Sequence, residues 1–220
     1  MGVAFVDLAE ACAPRIEVET LAAIVSLESR FRAFNIRINS GPPLAAQPAS
    51  KAAAVEIATS LMAEHQDIQL GLGAIGIEEL QKLNLSVSDA FDPCLNLKAT
   101  ATLLDGYYRL AAGAGADAAR AETVMLQSYY GRNDPSVGAM VDYDAQVRRE
   151  AERLSQQLAS LTIEDVQDQV HTGEQPEDQA ARQLSIQSSR TAEAMPWDVF
   201  NTRRRSSVLV FQNDRSEQPE

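Results

Sequence analysis

The sequence predicts an all-α domain followed by a polar tail. Over roughly the first 160 of 220 residues, apolar side chains recur at helical spacing, and the alternating β-branched runs that would indicate a large sheet are missing. From Thr162 onward Gln, Glu, Ser and Arg dominate. Such a segment buries too little apolar surface to offset its ordering entropy, so we expect it to be largely disordered. The expected division is a domain of residues 1–158 and a tail of residues 159–220.

Charge and hydropathy exclude several classes of protein. The chain has 31 acidic and 19 basic residues and a net charge of −12, so its field repels polyanions and we expect no nucleic acid partner. No run approaches about 18 apolar residues, which predicts no transmembrane segment. Met1–Ala9 has neither a basic start nor a long hydrophobic stretch, so we expect an export signal to be absent or to lie upstream.

Cysteine and histidine are scarce. Cys12 and Cys94 form no CxxC motif, and with His65 and His171 the chain has few groups for zinc or for a His-based triad. We therefore expect no metal and no cofactor. The two cysteines fit either buried thiols in a cytosolic protein or one disulfide in an exported protein, and composition leaves both open.

Six helices are expected in the domain. Ser50 is a candidate N-cap, Asp92-Pro93 supplies a cap and a first-turn proline, and Asp134-Pro135 opens the last helix. The expected helices span about 18–31, 51–65, 78–83, 93–112, 117–130 and 135–158.

Glu28 is the most informative residue of the first expected helix. An apolar stripe on that helix is formed by Leu21, Ile24, Val25 and Phe31. Glu28 shares the stripe, and a carboxylate facing a core is costly unless it is paired, protonated or open to a cleft. Desolvation raises the pKa of a buried carboxyl group, which suits a general acid near neutral pH. A structural glutamate paired with an arginine such as Arg109, or one at the edge of the stripe, is the alternative.

Residues 71–76 match the GxGxxG spacing of dinucleotide-binding proteins. That motif needs a preceding buried strand in a βαβ unit, whereas a helix and the polar residues 64–67 precede it here, so we reject a nucleotide site. Two interpretations stay open, a loop whose small residues let a ligand approach the backbone, and a plain interhelical turn.

Tyrosines occur in two adjacent pairs. Tyr129-Tyr130, at the end of the fifth expected helix, would either form the wall of a sugar cleft or pack in the core. We assign Tyr107-Tyr108 to packing, and likewise Tyr143 with Val147.

In order and spacing, these residues resemble the lysozyme-like lytic transglycosylases, specifically the transglycosylase subunit of type IV secretion systems, the first component of the VirB set. The matching segments are residues 10–14 (EACAP), 20–31 (TLAAIVSLESRF), 70–73 (LGLG), 90–97 (AFDPCLNL) and 128–130 (SYY), with Tyr143 and Val147 in the closing helix and residues 196–200 (PWDVF) in the tail.

The resemblance implies a lysozyme-like lobe that cleaves the β-1,4 bond between N-acetylmuramic acid and N-acetylglucosamine in peptidoglycan. Glu28 would protonate the glycosidic oxygen and then, as the carboxylate, accept the proton of the muramic six-position hydroxyl as a 1,6-anhydro ring closes. The sequence shows no obvious second carboxylate, and none is required, because the family resembles the substrate-assisted exceptions among glycosidases. The implied substrate-binding positions are Ser29, Gly71, Leu72, Gly73, Ala74, Ser128, Tyr129 and Tyr130.

The sequence departs from the family pattern in the cleft loop. The family commonly has glutamine and, two positions later, asparagine where this chain has Ala74 and Gly76. Losing one neutral hydrogen bond costs about 0.5–1.5 kcal/mol, so we expect weakened activity. Two alternatives stay open: a weakly active or inactive glycan-binding assembly factor, and a true hydrolase in which water attacks.

The resemblance also implies a location and partners. It predicts a periplasmic protein with a Cys12–Cys94 disulfide, bound to peptidoglycan strands and to secretion-system components. Residues 196–211 of the tail are the expected partner-binding segment, with Trp197 and Phe200 as candidate anchors. A solvated tail without a partner is the alternative.

Overall fold

The computed structural model describes residues 3–163, which form a mostly helical domain with two small sheets. This part of the chain contains nine α-helices and a short 3-10 helix at Leu158–Ser160. The α-helices are α1 (Phe5–Cys12), α2 (Val18–Ser29), α3 (Lys51–Ala63), α4 (Ile77–Lys82), α5 (Val87–Ala90), α6 (Pro93–Gly113), α7 (Ala118–Tyr130), α8 (Pro135–Met140) and α9 (Tyr143–Ser155).

Five short strands form the two sheets. They are β1 (Val3–Ala4), β2 (Ile36–Ile38), β3 (Ile68–Leu70), β4 (Ile75–Gly76) and β5 (Thr162–Ile163). Strands β2, β3 and β4 form an antiparallel sheet in that order, and β1 pairs with β5. The expected mostly helical architecture is confirmed, and the strands are additions to it.

The expected helix starts are confirmed where a side chain caps the backbone. The Ser50 hydroxyl accepts a hydrogen bond from the Ala53 amide at 3.3 Å, and Asp92 accepts one from the Leu95 amide at 2.9 Å. Asp134 accepts one from the Ser136 amide at 2.9 Å, and Pro135 occupies the first turn of α8. These interactions lie within three residues of the cap, which is why sequence alone reveals them.

The expected number of helices was wrong. Helices α1 and α5 were missed, and the single helix expected over 135–158 is two helices, α8 and α9. The chain breaks between them because Asp142 has a left-handed backbone, with φ of 52°. Helix α1 has no side-chain cap at Ala4, so it leaves no local signal at its start.

Helix α2 is buried on almost every side. Residues 21–25 are each 0% exposed, whereas a single apolar stripe would leave every second or third residue in solvent. Leu21 and Val25 pack in a core with Phe5 and Phe91, and Ile24 packs in a second cluster with Leu104. A polar side chain on the buried part of α2 therefore needs a partner or an opening.

Helix α2 ends at Ser29, two residues before the expected end. Arg30 and Phe31 both have positive φ, 55° and 61°, which no right-handed helix accommodates. The reversal that follows α2 brings β2 back beside the carboxyl end of the helix.

The disulfide between Cys12 and Cys94 is present, as the resemblance implied. It joins the end of α1 to the start of α6 across 82 residues of sequence, with the two Cα atoms 5.4 Å apart.

Two predictions meet the limits of the described residues. The described chain continues to Ile163, which is 1% exposed in the core, while the rest of the predicted tail, including residues 196–211, lies outside the described residues. Among residues 3–163, no helix is long and apolar enough to cross a membrane.

Candidate active site

Glu28 lies in the last turn of α2 with its carboxylate almost fully enclosed. Its side chain is 3% exposed, and each oxygen accepts one hydrogen bond. The Tyr143 hydroxyl donates to Oε1 at 2.6 Å, and Nη2 of Arg37 donates to Oε2 at 2.6 Å. A buried carboxylate held by one cation and one phenol keeps a fixed orientation.

Arg37 is positioned by the small sheet. It lies at the centre of β2, directly opposite Gln69 of β3 in the antiparallel register. Its Nε donates to the Gln69 side-chain oxygen at 2.8 Å, while Nη2 reaches Glu28. Gln69 therefore fixes the plane of the guanidinium group. Glu28 therefore pairs with an arginine, as one alternative expected, but Arg109 was the wrong candidate because it pairs with Asp105 on its own helix.

Tyr143 reaches Glu28 because of the break between α8 and α9. It is the first residue of α9 and is 2% exposed. Burial and then the charge of Glu28 raise the pKa of the Tyr143 phenol well above its usual value. The hydroxyl therefore stays protonated and acts as a donor. Its expected role as a core contact was incomplete, because it also holds the carboxylate.

The Glu28 cleft, as we call it, is a narrow and partly open hollow with a cavity volume of about 20 Å³. On the sheet side it is lined by Glu28, Arg37, Gln69, the loop residue Ala74 and the β4 residues Ile75 and Gly76, and on the helical side by Glu79, Leu103, Tyr107, Tyr129, Tyr130 and Arg132. A second and wider hollow of about 310 Å³ shares Arg37, Gln69, Tyr130 and Arg132 with it. The cleft thus continues into a longer groove.

The glycine loop is held in place behind the cleft by the side chain of one asparagine, Asn96. The Asn96 oxygen accepts a hydrogen bond from the Gly73 amide at 2.8 Å. Its Nδ2 donates to the carbonyl oxygens of Leu70 at 3.1 Å and Ala90 at 2.8 Å. Asn96 is 1% exposed, so all these bonds lie out of water. One side chain therefore joins β3, the loop and the end of α5.

Glycine is required in this loop by the approach of protein atoms. Gly71 has φ of +76°, and a Cβ there would overlap the Ala90 carbonyl and the Asn96 side chain. A Cβ at Gly73 would meet the hydroxyl groups of Thr100 and Tyr129. A strand, β3, does precede the loop, contrary to expectation. The sheet is antiparallel, so there is still no βαβ unit.

The two tyrosines of the predicted sugar wall differ in environment. Tyr129 is 9% exposed, and its hydroxyl donates to the Gly73 carbonyl at 2.7 Å, which ties α7 to the loop. Burial raises the pKa of this phenol well above its usual value. Tyr130 is 36% exposed, and its ring centre lies 4.9 Å from that of Tyr143. Both tyrosines line the cleft, and Tyr130 presents the open face.

Of the other expected binding residues, only Ala74 lines the cleft. Gly71, Leu72 and Gly73 are buried and do not line it. Ser29 is 2% exposed, and its hydroxyl donates to the Val25 carbonyl of its own helix at 3.0 Å. Ser128 is 5% exposed and does not line the cleft either. Their roles toward a substrate stay predictions.

Several residues that line the cleft could not be identified from the sequence alone. Arg37, Gln69, Glu79 and Arg132 come from separate segments, and only the fold brings them together. Tyr107, assigned to packing, also lines the cleft, and burial and then the charge of Glu79 raise its pKa. No acidic companion for Glu28 was expected, yet Glu79 lies in the same cleft.

The chemistry available to this cleft is proton exchange and hydrogen bonding. In residues 3–163 no group of three or more His, Cys, Asp or Glu side chains is placed to hold a metal ion. The fold and site define a helical, disulfide-bonded domain with a buried, hydrogen-bonded carboxylate in an open cleft. Known proteins with similar sequences identify the relatives of this chain.

The curated relatives are VirB1 proteins. The type IV secretion system protein VirB1 of Brucella suis is 38% identical over 109 residues, which cover 50% of this chain and 45% of that protein. The Brucella melitensis protein of the same name gives the same values. Protein VirB1 of Agrobacterium fabrum is 29% identical over 165 residues, covering 73% of this chain and 64% of that protein.

The chain is thus a homologue of VirB1 proteins, and its resemblance to the first component of the VirB set is confirmed. The matched part spans about half the length of the Brucella relatives. No family model matches the chain, and no solved structure matches it.

Proposed function

We propose that this protein is a lytic transglycosylase that opens peptidoglycan locally in the periplasm for a type IV secretion system. The observation that carries this proposal is the Glu28 carboxylate, 3% exposed and held by Arg37 and Tyr143, on the wall of a cleft that opens to solvent. The VirB1 names of the relatives support the secretion role. The Cys12–Cys94 disulfide supports an oxidising compartment such as the periplasm.

One carboxyl group suffices for the reaction, because the proton returns to it. Glu28 gives its proton to the glycosidic oxygen as the bond from the muramic anomeric carbon to that oxygen breaks. The six-position hydroxyl of the same sugar then attacks the anomeric carbon and gives its proton back to the Glu28 carboxylate. The products are a free hydroxyl on one sugar and a 1,6-anhydro ring on the other, with no water consumed.

Arg37 and Tyr143 act as positioning residues in this scheme. Their donors fix both oxygens of Glu28, so the group that exchanges the proton does not rotate away from the cleft. When the acid is protonated, the oxygen that carries the proton becomes a donor, so an acceptor such as the glycosidic oxygen must take the place of one of these two partners. A lysozyme-like arrangement of the helical lobe is part of the proposal, supported by the small antiparallel sheet beside the carboxylate-bearing helix.

A second candidate is a glycan-binding assembly factor with little or no activity. It is favoured by Ala74 and Gly76, which line the cleft without side-chain hydrogen-bonding groups. The same groove, extended past Tyr130, would hold a glycan strand without cleaving it.

Product analysis separates these candidates. Purified peptidoglycan is digested with the wild type, with Glu28→Gln and with Glu19→Gln, an exposed acid on the same helix, and the products are identified by mass spectrometry. We expect anhydromuramyl ends from the wild type and Glu19→Gln, and none from Glu28→Gln. Reducing ends would instead show hydrolysis. No release by any variant, with glycan binding retained, would favour the assembly factor.

A further inference from the structure

Glu79 carries a buried carboxylate oxygen without a partner. Its side chain is 7% exposed, and Oε1 lies 3.8 Å from the ammonium of Lys82, whose own side chain is 66% exposed. Within residues 3–163, Oε2 is the one buried side-chain oxygen or nitrogen that makes no hydrogen bond. Buried polar groups in proteins almost always have partners, so a lone buried carboxylate oxygen in a cleft requires an explanation.

The position of this oxygen is set by Gly76. A Cβ at residue 76 would overlap Glu79 Oε2 and would lie 3.7 Å from Nε of Arg132. The carboxylate of Glu79 therefore occupies the space that a side chain at position 76 would enter. That position is one of the two at which the cleft loop lacks the polar side chain of the family it resembles.

We infer that Glu79 is a substrate-binding residue whose Oε2 accepts a hydrogen bond from a hydroxyl or N-acetyl N–H group of a sugar in the Glu28 cleft. This inference rests on the proposed function for the class of ligand. It assigns to a carboxylate from α4 the hydrogen bonding that Ala74 and Gly76 cannot provide.

A neutral sugar donor fits the surroundings of Glu79 better than a cation. Lys82 already places one positive charge 3.8 Å from Oε1, and Arg37 and Arg132, which pair with Glu28 and Asp67, line the same cleft. A metal ion would need several further oxygen ligands, and the described residues hold no cluster that supplies them. Tyr107, whose pKa is raised by burial and by Glu79, stays a neutral phenol on the same wall.

The alternative is that Glu79 is structural, through its contact with Lys82. The two roles predict opposite effects on stability. An unpaired buried oxygen destabilises the free protein, so replacing Glu79 by an apolar residue of similar size would preserve or raise the melting temperature. A structural ion pair would make both Glu79→Leu and Lys82→Met lower it.

The test measures binding rather than turnover. In the full-length Glu28→Gln background, chitotetraose, an N-acetylglucosamine tetramer, is titrated by calorimetry into the parent, Glu79→Leu, Lys82→Met and Glu78→Leu. Glu78 is the exposed neighbour of Glu79 and serves as the matched control. We expect Glu79→Leu to weaken binding about 10- to 100-fold with an unchanged or higher melting temperature. The two control variants should bind as the parent does.

Three results would overturn the inference. They are parental affinity in Glu79→Leu, an equal loss of affinity and melting temperature in Glu79→Leu and Lys82→Met, and no binding by the parent. Parental affinity in Glu79→Leu together with anhydromuramyl products from the wild type would remove only the role of Glu79. The expected loss of affinity without such products would leave the role of Glu79 intact and remove the proposed activity.

Discussion

Two side chains, Arg37 and Tyr143, hold the Glu28 carboxylate in the cleft. Glu28 and Arg37 are separated by 9 residues and Glu28 and Tyr143 by 115, yet both contacts are 2.6 Å. The contact between Glu28 and Arg37 follows from a local reversal of the chain after α2. The contact between Glu28 and Tyr143 follows from the packing of α9 against α2. The geometry of one carboxylate thus depends on the whole domain.

The role of Tyr143 is tested by removing one oxygen atom. We expect Tyr143→Phe to lower the rate of anhydromuramyl release about 10- to 100-fold, because a hydrogen bond to a charged group contributes about 1.5–3 kcal/mol. The rate is measured by product mass spectrometry. Tyr108→Phe, a partly buried tyrosine outside the cleft, is the control. An unchanged rate in Tyr143→Phe would show that the phenol does not hold the acid during the reaction.

At the residue scale, the sequence identifies Glu28 as a candidate acid but does not identify the side chains that hydrogen-bond to it. Glu28 could be recognised because its place on an apolar helical face is a local property. Arg37 could not, since its pairing depends on the register of β2 with β3, two strands too short to leave a pattern. Glu79 could not either, since in the sequence it is only one of two adjacent acids at the start of a short helix.

At the scale of the secondary-structure elements, the loop between β3 and β4 is tightly constrained by its neighbours. It packs against the end of α5 and the first turns of α6, and Gly71 lets the backbone make that approach with a positive φ. The contrast with Gly106, in the middle of α6, is sharp. A Cβ there would have no atom within 4 Å, so that glycine is not required by packing.

These two glycines give a paired prediction. We expect Gly71→Ala to lower the free energy of unfolding by more than about 2 kcal/mol, because the new methyl group meets backbone and Asn96 atoms at a strained φ. Gly106→Ala is expected to raise it by about 0.5–1 kcal/mol, since alanine restricts the unfolded chain and favours the helix. Urea unfolding measures both. Equal midpoints for Gly71→Ala and the wild type would contradict the packing of the loop.

Helix starts were predictable wherever a side chain marks them. The missed helix α5 has such a mark, because Ser86 and Asp89 form a reciprocal capping box that the sequence displays as S-x-x-D. The break at Asp142 has no comparable signal. A left-handed residue in a helical pattern is decided by how α8 and α9 pack, which a local reading does not contain.

At the scale of the whole molecule, one covalent bond and one strand pair close the described domain. The disulfide joins α1 to α6, and β1 pairs with β5 so that residues 3–4 and 162–163 lie side by side. The pairing of the cysteines was implied only by family resemblance, because composition fits free thiols equally well. The small sheets were not predicted, since strands of two or three residues have no detectable period.

The disulfide should contribute strongly to stability. Chain-entropy arithmetic for a loop of this length gives about 4–5 kcal/mol, and measured losses for native bridges are about 2–5 kcal/mol. We expect Cys12→Ser with Cys94→Ser to lower the unfolding free energy within that range. Denaturant unfolding with and without reductant measures the loss, and the serine variant should be insensitive to reductant. Two alkylatable thiols in the native, unreduced protein would refute the bridge.

Asn96 is a position at which conversion of a side-chain amide to a carboxylate would disturb the domain. Its amide nitrogen donates to two carbonyl oxygens, and its oxygen accepts from the cleft loop. Hydrolysis of that amide, which consumes one water and releases ammonia, would leave an aspartate there, whose negative oxygen would face the carbonyls of Leu70 and Ala90 and repel them. The contacts by which Asn96 joins β3, the cleft loop and the end of α5 would then be lost, although no bond of the main chain had been cut.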